Sequence, residues 1–145
     1  MAVSEQDKKQ IAAVIEQYRC GFATMDVEGL KSIWDQEYDN IIYIPQELAL
    51  PVRGWAAVEQ YYNRVAGLLK QVHAMTVSEV SVDVIEDVAC VFCCFHFEGE
   101  MQGQRHLADG RATFLLRRKS GAWKVIHYHE SRPPERTKNE EDRRS

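Results

Sequence analysis

The sequence predicts an α+β fold in which three N-terminal helices pack on one face of a curved, mostly antiparallel sheet. Apolar residues recur at helical spacing through the first half of the chain, whereas strand-like runs separated by short polar turns fill the second half. The chain has 145 residues, of which 45% are hydrophobic and 28% charged, so it fits a single globular domain.

Local signals place the helices. Ser4 to Asp7 resembles a capping box with Asp in the fourth position, and the apolar spacing that follows predicts a helix to about Thr24. Asp26 is a typical N-cap for a second, shorter helix, whose apolar side carries Val27, Leu30, Ile33 and Trp34. A third helix follows the turn at 51–54. Its apolar stripe consists of Trp55, Val58, Tyr62, Val65 and Leu69.

The strands are predicted from their turns. A short strand at 40–44 lies between the second and third helices. After His73 the chain contains four strand-like segments, at 77–85, 88–100, 107–119 and 123–131. Two of the turns between them, Gln102-Gly103 and Ser120-Gly121, have the two-residue form that is typical of β-hairpins. These turns predict an antiparallel meander.

The folded domain is expected to cover residues 5–133, after an N-terminal extension at 1–4. Residues 134–145 form a charged tail with almost no apolar side chain, a composition typical of disordered segments.

Counting back from the Ser120-Gly121 turn predicts the register of the last hairpin. Phe114 then lies opposite His127, and Ala112 lies opposite His129. Both histidines are therefore expected to face the helices. A bulge in these strands would exchange the two faces beyond it.

The opposite face of the sheet is predicted to be mixed. It would pair Arg111 with Glu130, and His96 with Asp109. It also carries the apolar residues Phe92, Leu115, Ile126 and Tyr128. So much apolar surface predicts an oligomer interface, which we expect to form a two-fold homodimer or a larger assembly.

Composition argues against several functional classes. A net charge of −4 disfavours nucleic-acid binding, and neither a membrane span nor a signal-type apolar run is evident. The four cysteines, at positions 20, 90, 93 and 94, fit neither a zinc site nor a disulfide framework. They are interpreted as reduced, which favours the cytoplasm.

The segment RATFLLRRKSGAWKVIHYHES, preceded by two helices, a strand and a third helix, resembles SnoaL-like members of the nuclear-transport-factor-2-like superfamily. It is also similar to the association domain of calcium/calmodulin-dependent protein kinase II, a likeness that the DVACV stretch shares. The resemblance covers about residues 5–133. It implies a cystatin-like cone with a pocket at its open end.

The resemblance transfers its functional residues unevenly. The kinase association domain holds carboxylates with pocket arginines, but two of those positions fall here on Phe95 and Phe114. Ketosteroid isomerase has a tyrosine on its first helix, which Tyr18 matches. The isomerase's catalytic aspartate falls here on an apolar residue, Ile42 or Ile44, so that base is missing.

His129 or His127 is therefore the predicted general acid or base, because scytalone dehydratase and the polyketide cyclases use histidine in such pockets. Tyr18 would polarise a substrate oxygen. A plain structural role for the histidines stays open. No metal site is predicted, because neither His96 nor His106 lies clearly on the same face to supply a third ligand.

The predicted ligand-binding walls are largely aromatic. They comprise Trp34, Tyr62, Phe95, Phe114 and Trp123. Arg111 joins them, as a grip for a substrate carboxylate or enolate, only if a bulge turns it inward; otherwise it is a structural partner of Glu130. The same slip would make Asp109 an acid/base candidate.

These observations favour a protein that binds a small, largely apolar organic molecule. If it is an enzyme, it would be a lyase or isomerase that transfers protons without a cofactor: an isomerase, dehydratase or cyclase. The alternative is a non-catalytic ligand-binding or association-type module. A pocket containing a base and an orienting carboxylate would favour catalysis, and a pocket of aromatic and aliphatic residues alone would favour the alternative.

Overall fold

The computed structural model describes residues 4–134, so residues 1–3 of the predicted extension and 135–145 of the predicted tail lie outside the described residues. The three helices are α1 (Glu5–Thr24), α2 (Val27–Ser32) and α3 (Trp55–Leu68). The six strands are β1 (Ile42–Ile44), β2 (Val52–Arg53), β3 (Leu69–Ile85), β4 (Val88–Met101), β5 (Gln104–Lys119) and β6 (Ala122–Ser131).

The strands form one curved sheet in the order β2-β1-β6-β5-β4-β3. Only the short pair between β1 and β6 is parallel; the other pairs are antiparallel. The helices pack on the inner face of this sheet and enclose the core with it. The predicted α+β cone with a mostly antiparallel sheet is confirmed.

The predicted helix caps are confirmed. The Ser4 side chain accepts a hydrogen bond from the backbone nitrogen of Asp7 at 3.0 Å, and the Asp26 carboxylate accepts one from Gly29 at 3.0 Å. Each cap satisfies a backbone donor that the first turn of a helix leaves without a partner. Met25 ends α1 in the left-handed conformation. Helix α3 ends at Leu68, and β3 begins at the next residue. The strand therefore begins earlier than the strand that the sequence predicts at 77–85.

The predicted hairpin turns are also confirmed. Gln102-Gly103 and Ser120-Gly121 connect their strands with two residues of positive φ, as this turn type requires. The β4–β5 register follows from the first turn without interruption, and Val91 lies opposite Phe114.

The last hairpin contains a bulge. Its predicted register holds from the turn as far as the pair of Leu116 with Val125. The next pair is Leu115 with His127, which leaves Ile126 as an extra residue on β6. Because side chains alternate between the faces of a strand, one extra residue exchanges every face that follows.

The predicted faces of the end of β6 are therefore wrong. Tyr128 and Glu130 point to the inner face, where Tyr128 is buried. His127 and His129 lie on the outer face, His127 half-buried and His129 exposed. The same bulge removes Tyr128 from the predicted apolar patch of the outer face.

One of the two predicted cross-strand charge pairs is also wrong. Arg111 lies opposite Ser131 rather than Glu130, and its Nε donates to the Ser131 hydroxyl at 3.1 Å. The pair of His96 with Asp109 is confirmed, with 2.6 Å between Nδ1 and the carboxylate. The hydrogen bond to Asp109 is the main cause that raises the pKa of His96.

Two glycines on the inner face make room for phenylalanine rings. A Cβ at Gly110 would lie 2.2 Å from carbons of the Phe95 ring, and one at Gly99 would lie 2.8 Å from the Phe97 ring. Each ring thus lies flat over a position that has no side chain. Both glycines thus allow a phenylalanine ring to pack close to the strand backbone.

We expect Gly110→Ala to push the Phe95 ring out of its place and to lower the free energy of unfolding by about 1–3 kcal/mol. Gly67→Ala is the matched control, because nothing lies within 4 Å of a Cβ on that exposed residue of α3. This control should raise stability by up to about 1 kcal/mol through helix propensity. Urea unfolding of the two variants distinguishes the effects. Equal stability of the Gly110 variant and the wild type would contradict the close packing.

Candidate active site in the cone cavity

A cavity of about 390 Å³ lies between the helices and the inner face of the sheet. Its walls are mostly apolar. Six aromatic rings contribute to them: Tyr18, Phe22, Tyr43, Tyr61, Phe95 and Phe97. Polar side chains enter from four places: Gln46 and Glu47 follow β1, Arg64 lies on α3, His106 lies on β5, and Glu130 and Arg132 stand at the end of β6. An apolar cavity with a few convergent polar groups is the usual form of a small-molecule site.

Glu130 is the central polar residue of this cavity. One carboxylate oxygen accepts a hydrogen bond from the Tyr128 hydroxyl at 3.1 Å, and the other accepts one from Gln46 Nε2 at 3.1 Å. Burial, together with the nearby charge of Glu47, raises the pKa of Glu130 to about 7. Near neutral pH the group can therefore either accept or donate a proton.

No cation neutralises this carboxylate within the part of the chain that the structure describes. The ion pairs among residues 4–134 involve other acidic groups, and Glu130 belongs to none of them. Its charge is met only by neutral hydrogen-bond donors. A carboxylate in this setting keeps its basicity, because no opposite charge favours the ionised form.

Two tyrosines connect Glu130 to the cavity wall. The hydroxyls of Tyr18 and Tyr128 lie 2.9 Å apart, and the Tyr128 hydroxyl is shared with Glu130. Burial raises the pKa of both tyrosines well above the usual value, so both hydroxyls are neutral. The Tyr128 ring is stacked on Tyr43 and meets the edge of Phe114, which fixes its position.

A second carboxylate lies at the mouth of the cavity. Glu47 is exposed and accepts a hydrogen bond from the Tyr61 hydroxyl. The guanidinium carbon of Arg64 lies over the ring of Tyr61, 5.6 Å from its centre. The mouth therefore combines charged groups with aromatic surface, while the interior is dominated by Glu130.

The aromatic residues predicted from the sequence do not all reach this cavity. Tyr18 and Phe95 line it. Phe114 is buried behind Tyr18 and Tyr128 and packs edge-on against both rings. The prediction that Phe114 forms part of the wall does not match the cavity, because these two rings lie between.

The tryptophans proposed as pocket walls are structural residues of the core. Trp34 donates from Nε1 to the hydroxyl of buried Tyr62 at 2.9 Å, and neither side chain lines the cavity. Trp123 donates to the carboxylate of Asp7 at 3.0 Å and thereby joins β6 to α1. Arg111 is exposed on the outer face, away from the cavity.

Neither predicted catalytic histidine reaches the cavity. His127 lies between Leu115 of β5 and Ile42 of β1 on the outer face, where burial lowers the pKa of its ring. His129 is exposed on the same face. The bulge at Ile126 is the physical reason, since it places the alternate residues of β6 inside.

The sequence interpretation missed Glu130, Tyr128 and Gln46. Glu130 and Tyr128 are two residues apart and share one face of a strand, a signal that was readable but was assigned to the wrong side. Gln46 gave no signal of its own, because it follows a three-residue strand whose pairing with β6 is non-local.

Across residues 4–134, no three His, Cys, Asp or Glu side chains are grouped so that they could hold a metal ion. Within the same residues, no helix combines the length and the apolar character that crossing a membrane requires.

The fold agrees with the comparisons to known proteins. The model of the SnoaL-like domain matches residues 11–135, so the chain belongs to the SnoaL-like family. No curated protein matches the sequence.

Several solved structures are similar to the chain. A candidate dehydratase of the NTF2-like family from Streptomyces avermitilis is 18% identical over 91% of this chain and 100% of its own, with a TM-score of 0.79. A hexachlorocyclohexane dehydrochlorinase (LinA, type 2) is 15% identical over 88% of this chain and 85% of its own, with a TM-score of 0.74.

A third similar structure is a candidate calcium/calmodulin-dependent protein kinase type II association domain from Thiobacillus denitrificans. It is 19% identical over 85% of this chain and 94% of its own, with a TM-score of 0.70. At these identities the three structures establish the fold of the chain and nothing finer.

The raised pKa of Glu130 predicts a pH-dependent stability. Its pKa rises from 4.5 to about 7 in the folded protein, so the folded state holds this proton more tightly than the unfolded chain does. The resulting stabilisation is fully present below the unfolded value and is lost as the pH rises through the folded value.

We therefore expect Glu130→Gln to gain stability relative to the wild type as the pH rises, by up to about 3 kcal/mol above pH 7. Urea unfolding of both proteins at a series of pH values measures the difference. A difference that stays constant across the neutral range would show that Glu130 titrates normally in the folded protein.

Proposed function

We propose that this protein binds a small, largely apolar organic molecule in the cone cavity and that Glu130 transfers a proton on it. The observation that carries the proposal is a carboxylate without a cationic partner among the described residues, facing an aromatic cavity and with a pKa of about 7. The reaction class is cofactor-independent isomerisation, dehydration, cyclisation or hydration. Glu130 takes the acid/base role that the sequence had assigned to His129 or His127.

The proton transfer follows the ordinary chemistry of an activated carbon. The ionised Glu130 removes a proton from a C–H bond, and the electron pair moves onto the adjacent carbonyl oxygen as an enolate or expels a leaving group. The protonated carboxyl then returns its proton to another carbon in an isomerisation, or to the departing hydroxyl in a dehydration. Glu130 carries the only proton that moves in these steps, so no further reactant is needed.

Tyr18 is well placed to respond to the charge state of Glu130. While Glu130 is ionised, Tyr128 donates to it, so Tyr18 must donate to Tyr128. Once the Tyr128-facing oxygen of Glu130 carries a proton, it can donate to Tyr128, and the direction of both hydrogen bonds reverses. Tyr18 then has its own proton free for an oxygen in the cavity, at the stage when negative charge develops there.

The known relatives are compatible with this reaction class. The similar structures include a candidate dehydratase and a dehydrochlorinase, both named for reactions that expel a leaving group. The polar groups of the cavity also favour catalysis over a passive binding module, because a purely structural pocket has no need of a basic, buried carboxylate.

Catalysis by Glu130 is tested with proton exchange from carbon. Small ketones, alcohols and halogenated hydrocarbons that raise the melting temperature are incubated in D₂O, and loss of C–H signal is followed by NMR. We expect Glu130→Gln to slow exchange by about a hundredfold or more, the usual contribution of a general base. His129→Gln should exchange at the wild-type rate. The reverse ranking of the two variants would return the role to the histidine.

Binding in the cavity is tested separately. Ala108 lines the cavity, so Ala108→Trp should fill it and abolish the ligand-induced rise in melting temperature. Ala13→Trp, on the exposed side of α1, is the control of equal volume and should leave that rise intact. Ligand binding by the Ala108 variant with unchanged affinity would locate the ligand elsewhere.

The outer face of the sheet is the second part of the proposal, as the interface of a homodimer. Beyond the bulge, this face presents four apolar residues from three strands: Phe92 of β4, Leu115 of β5, and Ile42 and Ile44 of β1. Phe92 is 38% exposed although it stands in the middle of the sheet. An apolar patch on a sheet face suits a two-fold contact, and the likeness to an association domain is compatible with one.

We expect the wild type to sediment as a dimer and Phe92→Lys as a monomer, because a buried charge in a two-fold contact appears twice. Leu50→Lys is the control, since Leu50 is 77% exposed in the loop between β1 and β2, outside the strands that form this face. A wild-type monomer at micromolar concentration would contradict the interface.

A cytoplasmic location stays a prediction, supported by four cysteines that are all free thiols.

A further inference from the structure

We propose that Arg132 is a positioning residue for Glu130: it orients the amide of Gln46 so that the NH₂ group, rather than the oxygen, faces the carboxylate. This inference rests on the proposed function in taking Glu130 as the acid/base group. The contact between Arg132 and Gln46 influences the pH at which Glu130 is ionised. Both residues lie at the rim of the cavity, and neither takes part in the reaction itself.

Three contacts agree on one orientation of the Gln46 side chain. Arg132 Nε can only donate a hydrogen bond, and it lies 3.1 Å from the Gln46 oxygen. The amide nitrogen then points the other way, 3.1 Å from Glu130 and 3.5 Å from the carbonyl oxygen of Asp109. Both of these partners are acceptors, so the opposite orientation of the amide would place oxygen against oxygen at each of them.

Without Arg132, the two ends of the amide would compete for the same positions. A glutamine presents an acceptor and a donor of nearly equal size, and only its partners decide which one faces the carboxylate. The donor end stabilises ionised Glu130, whereas the acceptor end stabilises only the protonated form. Arg132 therefore acts on the charge of Glu130 through Gln46.

The backbone holds Arg132 in the required place. Arg111 donates from its guanidinium to the carbonyl oxygen of Arg132 at 3.3 Å, which ties the end of β6 to β5. Within residues 4–134, Arg132 belongs to no ion pair, so its contact with the Gln46 amide is not shared with a carboxylate. Arg111 therefore supports the site indirectly, by holding the backbone of Arg132 in place.

The test is a double-mutant cycle on the pKa of Glu130, measured without any ligand. Glutamate labelled with ¹³C at the side-chain carboxyl is titrated by NMR, and the signal that disappears in Glu130→Gln assigns the residue. We expect Gln46→Met and Arg132→Met each to raise the proton affinity of Glu130 by about tenfold or more, the usual effect of losing one hydrogen bond to a charged group. The double variant should match Gln46→Met alone, because Arg132 acts only through the amide.

Two outcomes would overturn the proposal. If Arg132→Met raises the pKa equally in the wild-type and Gln46→Met backgrounds, Arg132 acts by its charge across the cavity. If neither single variant moves the pKa, the amide does not control Glu130. Arg64→Met is the matched control, because it removes another guanidinium that lines the cavity but lies over Tyr61, and it should leave the pKa unchanged.

Further controls separate this proposal from folding defects and from the proposed function. Urea unfolding shows whether each variant is folded, and Gln46→Asn, which withdraws the amide by one methylene, replaces Gln46→Met if that variant does not fold. Arg132→Lys retains a donor and should restore part of the wild-type pKa. The cycle keeps its outcome even if Glu130→Gln leaves proton exchange unchanged, so the two proposals can fail independently.

Discussion

The candidate site depends on one extra residue in the last strand. Because side chains alternate along a strand, the bulge at Ile126 decides that Tyr128 and Glu130 enter the cone and that His127 and His129 stay outside. Without the bulge, the inner face of β6 would carry two imidazoles in place of the Glu130 carboxylate and the Tyr128 phenol. The register of the backbone thus decides which side chains of β6 face the cavity, and with them the chemistry of the site.

The bulge also stands where β6 changes its neighbour on the other edge. Val125 bridges to Trp34, whereas His127 pairs with Ile42 of β1. Strand β1 runs directly into Pro45 and Gln46, so its pairing with β6 brings the Gln46 amide to Glu130. Register, strand order and the hydrogen-bond network around the carboxylate are therefore parts of a single arrangement. A change in the register or in the strand order would separate the Gln46 amide from Glu130.

Sequence reasoning succeeded where the signal was local. Caps at Ser4 and Asp26 and the two-residue turns follow from residue type, and the β4–β5 register follows from its turn by counting. It failed at Ile126, because an apolar residue suits either face and nothing in WKVIHYHES marks a bulge. It also could not find Gln46, since the contact with Glu130 spans 84 positions of the chain and depends on a three-residue parallel strand.

The two shortest strands carry the mouth of the cavity. Strand β1 has two residue pairs with β2 and three with β6, and the loop that they support, residues 45–51, holds Gln46 and Glu47 against the opening. The loop at the mouth of the cavity is therefore anchored by a few strand pairs near the edge of the sheet. Opening these few pairs costs less free energy than unfolding the core, so substitutions in this loop can alter the mouth of the cavity while the rest of the sheet stays folded.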